Sequence, residues 1–126
     1  MTDLTALIAK LEAAAEGSPE LDAAIAEALA LYPADHIKAL HGGNYWSRSG
    51  DPYDGMWHPP TWTRSIDAAL TLVPDRTKVG LYRDEYSGRW SAVIGDKTFQ
   101  GRFSHNGAPT APLALMVAIL RMRAAS

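Results

Sequence analysis

The chain has 126 residues, one domain's worth, and 47% of them are apolar, so it can bury a sizeable core and is not a wholly disordered segment. A net charge of −2 with 21% charged residues excludes both a strongly basic polyanion binder and an acidic tail. The absence of cysteine removes disulfide scaffolds, thiol nucleophiles and Cys-ligated zinc. No basic stretch precedes the first apolar residues, so no secretory signal peptide is expected. The longest apolar run, Leu113–Leu120, falls far short of the roughly 18 residues a membrane span needs. A cytoplasmic protein without membrane contact is the expectation. Charge is unevenly spread: residues 1–63 carry three bases against nine acids, residues 64–126 nine bases against five. Such a split suggests an acidic and a basic side, or two halves that attract each other within one domain over residues 1–126.

In chain order, residues 1–31 read as a helical hairpin. Leu4, Leu7, Ile8 and Leu11 form one apolar stripe at helical spacing, and Gly17 closes that helix. Ser18 then supplies an N-cap and Pro19 a first helical position for a second helix striped by Leu21, Ile25, Ala28 and Leu29. Residues 32–62 break regularity with Pro33, Gly42, Gly43, Gly50, Pro52, Gly55, Pro59 and Pro60, yet also hold Tyr45, Trp46, Tyr53, Trp57 and Trp62. A long aromatic loop of this kind reads as an ordered interface segment or a cap on the core.

Residues 63–126 read as helix, β-meander, helix. Thr63 or Ser65 caps a helix carrying Ile66, Ala69, Leu70 and Val73. Alternation predicts strands over 77–83, 89–94 and 98–104, joined by turns at Asp84–Gly88 and Gly95–Lys97. Thr110 and Pro112 open a final helix that is apolar around most of its circumference, hence the most buried one. The fold expected is α+β: a three-stranded antiparallel meander, with room for a fourth edge strand from the 40s or 50s, packed against about four α-helices.

The strings Pro60-Thr61-Trp62-Thr63-Arg64-Ser65-Ile66-Asp67-Ala68-Ala69-Leu70, Val73-Pro74 and Ala108-Pro109-Thr110-Ala111-Pro112-Leu113-Ala114-Leu115, with Leu21-Asp22-Ala23-Ala24-Ile25-Ala26 upstream, carry a likeness. They resemble small phage- and prophage-encoded proteins of the phage ABA-sandwich family. The likeness spans roughly residues 18–30 and 60–124, and Met116 departs from it where many relatives carry Cys. It implies a phage accessory origin, action inside a bacterial host cell, and helices around a sheet. It carries no catalytic residue across.

Four kinds of site can be weighed. His36, His41 and His58 with Asp35, Asp51 and Asp54 supply zinc ligand types, but the spacing matches no metal module, so no metal or other cofactor is expected. Ser47, Ser49 and Ser104 lie near histidines without a nucleophile elbow, and no enzymatic activity is expected. Lys78, Tyr82, Arg89 and Arg102 fall on one parity of the meander, a basic face with one aromatic that could hold phosphates and stack a base. Tyr45, Trp46, Tyr53 and Trp57 are the residue types that anchor protein interfaces, and they are expected exposed, while Trp62 and Trp90 are expected in the core. The leading expectation is a non-enzymatic phage or prophage accessory protein that binds a host or phage protein, with inhibition of a host defence system as one form. The alternative is a small-ligand or nucleic-acid binding module built on the aromatic loop and the basic sheet residues.

Overall fold

A computed structural model describes residues 4–39, 43–49, 55–95 and 103–125. Helix α1 spans Thr5–Ala13 and α2 spans Pro19–Ala28. Three short strands follow, β1 (His36–Lys38), β2 (Tyr45–Ser47) and β3 (Met56–Trp57), and then α3 (Ile66–Leu70). Strands β4 (Lys78–Arg83), β5 (Trp90–Gly95) and β6 (Phe103–Ala108) precede α4 (Ala111–Ala124). The class is α+β, with two three-stranded antiparallel sheets in the orders β1-β2-β3 and β4-β5-β6. Two sheets replace the one expected. The segment around residues 36–57 forms a sheet of its own instead of lending an edge to the other. Among the described residues the last strand covers Phe103–Ala108, so it runs past the expected end at 104; residues 96–102, including Phe99 and Arg102, lie outside the described residues.

Local chemistry sets the helix starts. Ser18, Ser65 and Thr110 adopt extended backbone and accept the N–H groups of Leu21, Ala68 and Leu113 through their hydroxyls, satisfying donors that a first helical turn leaves orphaned. Between β4 and β5, Asp84 Oδ1 accepts from the N–H groups of Tyr86 and Ser87. Gly88 closes that turn at φ +71, a left-handed conformation that costs glycine nothing.

The core centres on α4. Every residue from Leu113 to Leu120 is fully buried, so the helix is enclosed on all sides. It packs on β5 and β6 and is flanked by α1 and α3. From the second sheet, Ala92 and Ile94 are fully buried while Trp90 is half-buried against the core, its ring only partly covered. Trp62 is buried at 2% exposure.

A polar clamp joins two distant parts of this core. Asp22, in the first turn of α2 and 1% exposed, accepts through Oδ1 from both the backbone N–H (2.8 Å) and the hydroxyl (2.7 Å) of Thr63. Its Oδ2 accepts from Arg64 Nη2 at 3.1 Å. Thr63 Oγ1 in turn accepts from the backbone N–H of Ser18. Gly17 is obligatory beside it, because a Cβ there would lie 1.9 Å from the Thr63 carbonyl oxygen. Thr63 is thus the clamp, and Ser65 is the cap of α3.

Candidate functional site

The first sheet separates its aromatic residues by strand alternation. In β2, Tyr45 and Ser47 point inward and Trp46 points out. Tyr45, expected exposed, is fully buried. Its ring stacks on Tyr32 (centroids 5.0 Å apart, planes at 17°) and meets Trp57 edge-on at 5.2 Å. Its hydroxyl donates to the carbonyl of Ala23 at 3.2 Å, fastening the sheet to α2. Burial pushes the phenol pKa up to about 12. On the same strand pairing, Lys38 reaches back to Glu27 of α2 at 3.1 Å. Trp57 is half-buried beside Tyr45, and Tyr53 lies outside the described residues.

The opposite face holds what the sequence does not display. Ile37 pairs in register with Trp46, and Trp46 with Met56. All three side chains are on the outward parity and remain exposed, at 50%, 42% and 38%. They make one apolar row across three strands. Ile37 and Met56 escape a sequence reading because neither belongs to an aromatic cluster. The signal that would have found them is the cross-strand register, which no single segment contains.

On the second sheet, Lys78 and Tyr82 lie on one side of β4, facing away from the Val79 and Leu81 that pack toward the core. Tyr82 is 63% exposed and its ring folds back over Gly80, where an added Cβ would meet ring atoms at 2.9 Å. Arg89 is exposed and its Nη1 donates to the carbonyl of Gly107 at 2.6 Å, so part of its guanidinium is committed to the fold. Two acids of α2 have their partners elsewhere, Asp22 in Arg64 and Glu27 in Lys38.

Among the described residues, no three His, Asp or Glu side chains come together as a metal cluster. His36 Nδ1 meets Asp35 Oδ1 at 3.0 Å, and this contact with the imidazole holds the Asp35 carboxyl below its usual range. His58 Nδ1 donates to Asn44 Oδ1 at 2.8 Å. His41, Asp51 and Asp54 lie outside the described residues. Ser47 stands across from His36 in the β1–β2 register, but its buried hydroxyl bonds Ser49 at 3.0 Å. Ser104 and His105 are neighbours on β6, the first exposed and the second half-buried. No helix among the described residues is long and apolar enough to cross a membrane.

Compared with known protein families, curated proteins and solved structures, the chain matches none.

Proposed function

We propose that this chain is a non-enzymatic binding protein that docks a host or phage protein on the outer face of its first sheet. One observation carries the docking mode: Ile37, Trp46 and Met56 stand in register and exposed on a sheet whose other face is fixed to α2 through Tyr45. An exposed tryptophan flanked by two apolar side chains on hydrogen-bonded strands is the kind of anchor that dominates interface energies. The phage setting, and inhibition of a host defence system as its form, rest on the likeness of residues 60–74 and 108–115 to phage accessory proteins. The test is capture from bacterial lysate by the immobilised chain, with Trp46→Ala in parallel. A partner retained by the unmodified chain should be weakened by about 2 kcal/mol or more in the variant. Undiminished capture by Trp46→Ala removes the row from the interface.

A second reading is favoured by Tyr82. Lying over Gly80, its ring presents its other face to solvent beside Lys78, which suits a stacked base with a phosphate nearby. Fluorescence anisotropy with labelled single-stranded oligonucleotide tests it. Binding that falls steeply with salt and is lost in Tyr82→Ala supports this reading; no binding at low salt ends it.

A further inference from the structure

A cavity of about 240 Å³ opens between the start of α2, the turn at Gly43–Asn44 and the segment leading into α3, lined in part by Asn44, His58 and Arg64. We infer that this cavity binds the phosphate group of a small molecule. It is independent of the apolar row, since neither Ile37, Trp46 nor Met56 lines it.

The argument starts from Arg64. Its guanidinium is held by one nitrogen, Nη2, on Asp22 Oδ2, and its side chain remains 43% exposed while that of Asp22 is 1% exposed. The carboxylate is saturated on its other oxygen by the Thr63 N–H and hydroxyl. Asp22, with its side chain 1% exposed, therefore orients the guanidinium from a buried position. A guanidinium has five N–H donors in a fixed plane that matches an oxyanion, and four are not used by this bond. His58 is oriented in the same manner. Its Nδ1 is held by Asn44 Oδ1, a bond that uses neither Nε2 nor the Asn44 amide nitrogen, and both residues line the cavity. In the imidazolium form both ring nitrogens donate.

The Arg64 guanidinium, the Asn44 amide and, in the imidazolium form, His58 Nε2 bring donors from three chain segments, and the first and last are oriented by a second residue. This arrangement suits the spread oxygens of a phosphate better than a single carboxylate. Among the described residues, Asp22 is the only acidic one lining the cavity, and its charge is matched by Arg64. The volume lies below the about 300–1,000 Å³ of pockets that enclose drug-sized ligands, which fits a phosphoryl group or a small phosphorylated compound and not a whole dinucleotide.

The test is an NMR titration of the full chain with inorganic phosphate, at constant ionic strength maintained with sodium chloride, with acetate in a second arm. Saturable shifts are expected at Gly43, Asn44, His58 and the Arg64 side chain, with Kd on the order of 1 mM or tighter. His58→Ala and Arg64→Lys should each weaken binding about tenfold, a loss of about 1.4 kcal/mol. Arg64→Lys could loosen the clamp, so His58→Ala, at an exposed position, serves as the variant that leaves the core untouched. Shifts that do not saturate, that survive in His58→Ala, or that acetate reproduces with equal affinity would each overturn the assignment.

Discussion

Asp22 and Thr63 stand 41 residues apart in sequence and are joined by two hydrogen bonds of 2.8 and 2.7 Å, both ending on one buried carboxylate oxygen. The pair locks the N-terminus of α2 to the segment that leads into α3.

Removing the carboxylate should be costly because its partners are left behind. In Asp22→Ala, the Thr63 N–H and hydroxyl lose their acceptor in a buried place, while Arg64, with 43% of its side chain exposed, can turn to water. The expected loss is about 2–3 kcal/mol, read as a lower urea midpoint at unchanged slope. Thr63→Val removes only the hydroxyl bonds and should cost about 1–2 kcal/mol. The double variant should lose less than the sum of the two, with a coupling of about 1 kcal/mol. Strict additivity would show that the clamp contributes nothing as a unit.

Tyr45 gives a pH-dependent counterpart. Burial raises its folded-state pKa to about 12, above the value near 10 of a phenol in the unfolded chain. A raised folded pKa contributes stability that is present below pH about 10 and is lost as pH rises from there toward 12. Tyr45→Phe keeps the ring stack on Tyr32 but loses the bond to Ala23, costing about 1 kcal/mol at neutral pH. That variant should also lose stability less steeply between pH 10 and 12. Identical alkaline curves for the two proteins would refute the burial assigned to this hydroxyl.

What could be read from sequence and what could not divides along the range of the interactions. Ser18 and Thr110 were legible as helix starts because a cap acts over three residues, while Ser65 was legible only as one of two candidates with Thr63. The last helix was legible as the most buried one from an apolar surface around most of its circumference. The first sheet was not. Strands of three, three and two residues are too short for alternation to show, and Gly and Pro surround them. Trp46 and Tyr45 are adjacent and chemically alike, so only the register with Ile37 and Met56 decides which one faces out. The donors at the Arg64 cavity come from Asn44, His58 and Arg64, and only tertiary packing assembles them.

His105 offers the opposite sign from Tyr45. Burial first, and then the charge of Arg121, lower its pKa, with Glu12 opposing. Arg121 is itself fixed to the Ser104 carbonyl and to Glu12, so it cannot simply move away. A depressed folded pKa means that stability is intact above the unfolded value near 6.5 and declines as pH falls through it. Urea midpoints at pH 7.5 and 5.0 should therefore differ more for the unmodified chain than for His105→Gln. Equal differences would place the acid sensitivity elsewhere.

The four tryptophans separate stability from recognition. Trp46 is 42% exposed at the centre of the apolar row, Trp57 is half-buried against Tyr45, Trp62 is 2% exposed, and Trp90 is half-buried against the core. Truncating a buried ring leaves a cavity, so Trp62→Ala should cost about 3–5 kcal/mol and lower Tm by on the order of 10 °C or more. Trp57→Ala should fall between, because it removes the edge contact to Tyr45 but gives up a ring already partly in water. Trp46→Ala leaves no cavity; exposed substitutions of this kind usually change stability by less than about 0.5 kcal/mol. Thermal melts of the three variants thus predict the order Trp62, Trp57, Trp46 from largest loss to smallest. A Trp46→Ala variant that melts as low as Trp62→Ala would mean that the outer face of the first sheet is part of the core, and the docking row would lose its physical basis.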